Sequence, residues 1–416
     1  MATTGPPTVA ARRTRVAMLV AVLGPGLLAG LSDDDPAGIT TYSVLGASYG
    51  YQLLWVLLLS TVALVVFHSL GARMGVVTGQ GLIGLIRQRY GVRASALALV
   101  VLVLANVGTT CAEFAGIAAG FGLFHVPPAV SVPISAVVVS ALVLRGRFHR
   151  VEHLLMGLAT VFVAYVAAGF LAHPDWGKAA TGLVLPTMPL SHGAVLIVTA
   201  TVGTTLAPWG LSFIQSYAVD KKLTTDDLGY ERVDVITGAV LTGVIGFFVV
   251  VASAATLHAR GVTIESASDA AGALEPLAGP LASTLFALGL VGAALLAAAI
   301  LPLSTAYSIC EFAGAEAALD DDFEHASLFY VSYLATAAVG AGVVLAPGLP
   351  LIRILVLSQV LNAVLLLPLL GFMFGIARDR DLMGQYAATR SMSAVYAVTL
   401  GLVALCIGAL LALGLP

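Results

Sequence analysis

Charge is what this sequence has least of. Asp, Glu, Lys and Arg make up 10% of its 416 residues and apolar residues 59%. No polar stretch is long enough to form a soluble domain between the apolar runs. A spanning helix needs roughly 20 apolar residues, and runs of that length recur from end to end. These scarcities exclude a soluble enzyme or a nucleic-acid-binding module and leave a multi-pass membrane protein. Cysteine is scarce as well: Cys111, Cys310 and Cys406 all lie in apolar segments, where a small buried hydrophobe is expected rather than a disulfide or metal cluster. The eight histidines lie mostly near the ends of predicted spans, as in RFHRVEH, and His149 and His153 share helical spacing only within a short basic loop, so all are read as surface residues. GASYG, residues 46–50, matches a nucleophile elbow but lacks the strand–turn–helix setting and the His and acid partners. No enzyme, cofactor, nucleic-acid partner or obligate protein partner is expected.

What is present is hydrophobic length. Eleven spans are predicted, at 16–47, 51–70, 94–120, 129–144, 151–171, 193–219, 236–258, 280–314, 327–345, 351–376 and 392–415, after a short basic tail over 1–15 that carries no cleavage pattern. With that tail in the cytosol, 16 of the 19 Lys and Arg residues fall on the cytosolic side, and only Lys178, Arg260 and Arg353 fall outside. That bias predicts a cytoplasmic N-terminus, an extracytoplasmic C-terminus and residence in the plasma membrane.

Two of the spans carry an interruption near the middle, Pro36 and Gly38 in the first and Pro208 and Gly210 in the sixth. Proline removes a helical donor and clashes with the preceding turn, so each span should break there. A proline often only kinks a membrane helix. Two breaks five spans apart, however, are what an inverted five-plus-five repeat produces, about 16–171 and 193–376 with an extra helix at 392–415 in one transmembrane domain, and unwound backbone in such repeats lines a midplane site. The first break follows three aspartates, Asp33, Asp34 and Asp35. A charge at the bilayer centre costs about 2.5 to 3.5 kcal/mol on insertion scales, so it normally faces a cavity on an ion or proton path. Glu113 is the one acid in the third span, and Gln359 and Asn362 share a helical face in the tenth. Polar amides of that kind also serve as plain interhelical contacts.

These residues sit in recognisable company. GPGLLAGLSDDDPAGITTYSVLGASYG resembles the first helices of the Nramp family of divalent-metal transporters, and TTLAPWGLSFIQS, VTGQGLIGLIRQRYG, AEFAGIAAG, LSQVLNAVLLLP and RDRDLMGQY are similar to its later landmarks in the same order. The resemblance implies an all-α, LeuT-like fold of eleven transmembrane helices with broken helices 1 and 6. It implies that Asp35 is the metal-binding aspartate, Glu113 the third-helix acid and Gln359 the tenth-helix glutamine. It also marks departures. Gly38 replaces an asparagine ligand, Ala207 a methionine, Thr204 the alanine whose carbonyl joins the site, Trp209 a histidine, and Thr110 an aspartate associated with proton movement. Losing a thioether removes a filter against hard cations, and smaller side chains suggest a wider pocket that takes a partly hydrated ion. The pattern resembles the Nramp-related magnesium transporters. The expectation is therefore magnesium, with manganese also carried, moved without protons by the membrane potential at about 2.3 kcal/mol per charge per 100 mV. The alternatives are a proton-coupled manganese or iron importer of the same fold, or an amino-acid transporter, which the anionic break disfavours. Asp33, Asp34, Thr110, Trp209 and Asn362 are expected around the site, with the first two as wet neighbours that make the approach anionic.

Overall fold

The computed structural model describes residues 30, 32–145, 164–315, 326–346, 348 and 350–413. Their main helices are α1 (Pro36–Tyr49), α2 (Leu54–Thr78), α3 (Leu82–Tyr90), α4 (Val92–Gly122), α5 (Pro128–Leu144), α6 (Ala164–Leu171), α7 (Trp176–Val184), α8 (His192–Thr205), α9 (Pro208–Asp220), α10 (Leu228–Thr256), α11 (Ala282–Ala313), α12 (Ser327–Val344), α13 (Leu351–Ala377) and α14 (Arg390–Ala412). Eight helical segments among the described residues are long and apolar enough to cross a membrane, the broken pair α8–α9 counting as one, and α5 is a shorter apolar helix. The spans predicted at 16–47 and 151–171 lie partly outside the described residues, which cover them only as α1 and α6.

α4 runs through the middle of the bundle against α11, α12 and α13, while α10 packs on α1 and α2 and α8 on α13. Where α4 looks outward, Leu97, Val100 and Leu104 recur at helical spacing and each is more than half exposed. An apolar stripe of this kind suits lipid, not water. Inward faces are built from small residues, as in the buried Gly292, Ala293, Ala294, Ala297 and Ala298 of α11, because membrane helices gain their contact by letting backbones approach. At Gly116 of α4 a β-carbon would overlap the Pro36 ring, so this glycine is what allows α4 to lie against the start of α1.

Both predicted breaks are present, each just before its proline. Ser32 and Asp33 are helical, Asp34 and Asp35 form a bend, and Pro36 opens α1. In the second break α8 ends at Thr205, Leu206 and Ala207 leave helical geometry (φ −113°, ψ 58° and φ −69°, ψ 136°), and Pro208 opens α9. Proline fits the first helical position because its missing N–H has no partner to lose there. Proline alone does not break this chain, since Pro133, Pro302 and Pro368 sit inside continuous helices. Gly38 and Gly210, expected to loosen the breaks, lie inside the helices that follow and have ordinary backbone angles. Their use is space.

The stretch VTGQGLIGLIRQRYG includes a short helix, α3, that hydropathy did not reveal. The Glu311 carboxylate of α11 accepts from the Ile83 amide at 3.1 Å near its start and from the Ser216 hydroxyl of α9 at 2.5 Å. At the other end Arg89 pairs with Asp379 at 2.7 Å.

Candidate functional site at the two breaks

Asp35 is the best-anchored member of the aspartate run. It is the N-cap of α1, and its Oδ1 accepts from the Gly38 amide at 2.5 Å. An N-cap side chain satisfies one of the orphan donors of the first turn, so the carboxylate is held at the break. Across from it stands Glu113 on α4, whose carboxyl interacts with that of Asp35. Neither Glu113 oxygen has a geometrically sound hydrogen bond.

The second break contributes Thr204, in the last turn of α8. A β-carbon on Gly38 would stand 2.7 Å from the Asp33 carbonyl oxygen, 3.1 Å from Thr204 Oγ1 and 3.2 Å from Asp35 Oδ1. Gly38 thus marks a point where three oxygens converge. It also corrects the expectation of a wide pocket: the room released by losing a side chain at Gly38 is taken up by two oxygens of the first break itself and by the Thr204 hydroxyl of α8. Thr204 Oγ1 has no hydrogen-bond partner. Ala207, the N-cap position of α9, is buried and caps nothing through its side chain.

The remaining expected residues divide. Gln359 Oε1 accepts from Asn362 Nδ2 at 2.9 Å, and Asn362 in turn pairs with Thr109 of α4, donating to Oγ1 at 2.9 Å. The two amides therefore tie α13 to α4, with the backbone of Gln359 against Gly203 beside Thr204. Thr110 turns away, its hydroxyl donating to the Asn106 carbonyl at 2.7 Å and its methyl packed at Gly340 of α12. Trp209 packs with Phe213 in an apolar cluster between α9, α11 and α12, its carbonyl accepting from Ser304. Asp33 and Asp34 are 1% and 2% exposed, not wet neighbours, and Asp33 lies against α9 at Gly210. All four of their carboxylate oxygens lack a partner.

His68, expected at the surface near a span end at residue 70, lies inside: α2 continues to Thr78 and buries His68 to 1% exposure with both ring nitrogens unpartnered. Its only signal in the sequence is that the apolar pattern resumes after Arg73, in MGVV. Away from all these groups, a cavity of about 810 Å³ opens at the far end of α1, lined by Tyr49, Gln52, Asp175, Lys178 and His258 among others. It includes neither Asp35 nor Glu113.

A family profile described as "Natural resistance-associated macrophage protein-like", Nramp, matches residues 26–413 and so takes in both breaks. The chain belongs to the Nramp family. Among Nramp relatives it is 29% identical over 388 residues to the divalent metal cation transporter MntH of Burkholderia ambifaria, covering 90% of this chain and 85% of that one. It is 30% identical over 410 residues, 93% of each chain, to MntH of Aeromonas hydrophila. Its structure is similar to that of the Eremococcus coleocola manganese transporter (TM-score 0.76, 19% identity, 98% of this chain and 89% of that one). It is also similar to the nucleobase-cation-symport-1 transporter Mhp1 (TM-score 0.59, 16% identity, 94% and 90%). The fold is all-helical and LeuT-like, and this Nramp protein is a membrane transporter, not an enzyme.

Proposed function

We propose that this protein carries divalent metal cations across the plasma membrane by alternating access, with manganese as a substrate and magnesium also admitted. The observation that carries it is the convergence at the breaks of Asp35, Glu113 and Thr204, an oxygen set with unpartnered atoms and no sulfur among them. Carboxylate, carbonyl and water suit magnesium, calcium and manganese alike, whereas a thioether favours softer ions. Manganese leads because the relatives are named divalent metal cation or manganese transporters, and none named here is a magnesium transporter. Magnesium-first selectivity rested on the lost thioether at Ala207 and on a widened pocket, and the closed geometry at Gly38 does not supply the second.

Uncoupled movement rested on the loss of a histidine at Trp209 and of an aspartate at Thr110. Within the membrane interior His68, Asp33 and Asp34 are buried with no hydrogen-bond partner, and the Glu113 carboxyl faces that of Asp35, which supports protons moving with the ion. Ala207 and Gln359 border the proposed ion shell, and at Gly38 the ion meets the chain through water. The deciding experiment uses purified protein in liposomes, with manganese influx and internal pH followed together. Saturable influx with acidification of the lumen is expected, with magnesium competing. Absence of manganese influx sinks the substrate, influx at constant pH sinks the coupling, and indifference to excess magnesium sinks the oxygen-only selectivity.

A further inference from the structure

On the side of the break where the sequence places its basic loops, His68 of α2 and Asp33 face the same bare spot on α9. A β-carbon on Gly210 would stand 3.2 Å from His68 Nε2 and 3.8 Å from Asp33 Oδ1. His68 Nδ1 and Nε2 and both Asp33 oxygens lack hydrogen-bond partners, and each side chain is 1% exposed. Burying polar groups unpaired is costly, and an imidazole kept only for packing usually satisfies at least one nitrogen through a neighbour. Here an imidazole edge and a carboxylate edge meet across a position with no side chain between them.

Resting on the divalent-cation reading above, we propose that His68 and Asp33 form a second ion station, a nitrogen–oxygen pair that engages first-row transition metals as they pass between the breaks and the basic-loop side. Imidazole binds iron, cobalt, nickel and zinc readily, while magnesium keeps its waters and prefers oxygen. The station gives the path the borderline donor that its oxygen-only site lacks. Gly210 keeps the gap open, and Trp209 beside it is turned into the apolar cluster. Among the described residues no group of three or more His, Cys, Asp or Glu side chains is placed to hold a metal. Two donors completed by water suit an ion in transit better than a resident one.

The test uses full-length purified protein and Co2+, whose d–d absorption reports its ligands. Titration of the wild type should give a band displaced from that of aquated Co2+. His68→Gln should remove the displacement and raise the concentration of Co2+ for half-maximal uptake about tenfold relative to that of Mg2+ in liposomes. Gly210→Ala, which fills the gap and leaves the histidine in place, should shift that ratio in the same direction. Loss of Co2+ and Mg2+ uptake in equal proportion, or an unchanged spectrum and ratio in His68→Gln, overturns the station while leaving the cation reading intact. Failure of the wild type to carry any divalent ion overturns the cation reading itself, yet a spectral displacement removed by His68→Gln would still support the station.

Discussion

The two breaks differ in what they bring. The first is made of charge: three buried aspartates, one of which caps the helix beyond it. The second is made of nearly nothing, since Leu206 and Ala207 carry no polar side chain and no side chain caps α9. One supplies attraction for a cation, and the other supplies room, main chain and the single hydroxyl of Thr204. A site built this way has its affinity and its selectivity on different helices, so the two should be separable by mutation.

The largest effect tests the charged half. Asp35→Asn keeps a side chain that caps as well as aspartate does but removes the charge, so manganese uptake should fall at least a hundredfold while thermal stability in detergent changes little. A comparable loss of folded protein would make Asp35 structural. Next comes the contact that aligns the first break: Gly116→Leu drives a side chain into Pro36, and overpacking plus displacement should cost about 3 kcal/mol, seen as a lowered melting temperature. A neutral result would mean α4 does not hold the break. The uncharged half is tested by Ala207→Met, which should raise the preference for manganese over magnesium about tenfold, or about 1.4 kcal/mol. An unchanged ratio removes Ala207 from the selectivity filter. The smallest effect belongs to the amide contacts between α4 and α13. Asn362→Ala should cost about 0.6 kcal/mol of stability, the mean for such membrane hydrogen bonds, with uptake reduced severalfold at most. A hundredfold loss would make Asn362 part of the ion site.

Much of this was legible because the bilayer enforces long apolar runs. The described helices follow the predicted spans, and both breaks fall at prolines followed by glycine two residues on. The order of charged and polar landmarks pointed to Asp35 and Glu113, and the fold buries the two together at the first break. What could not be read were directions. Thr110 and Glu113 are three residues apart on one helix, yet the threonine turns to α12 and the glutamate to the break, a difference set by which neighbour α4 meets at each turn. His68 looked superficial because a hydropathy profile falls at Arg73, although the helix itself continues. Gly38 reads as lost bulk, yet the fold-back of Asp33 and Asp35 at the break and the approach of Thr204 from α8 put three oxygens in its place. Helix α3 is too short and too polar to register as apolar length, and is held by Glu311 from a helix more than two hundred residues away.

Pro36 and Pro208 have a consequence for motion. A continuous helix through either break would need the proline nitrogen to donate to the carbonyl four residues earlier, Ser32 in one case and Thr204 in the other, and that nitrogen has no hydrogen. Neither span can therefore carry an unbroken ladder of helical hydrogen bonds, although Pro133, Pro302 and Pro368 show that a helix of this chain can run on past a proline. The carbonyls of Ser32 and Thr204 are thus left without the donor four residues on, however the two halves of each span are arranged.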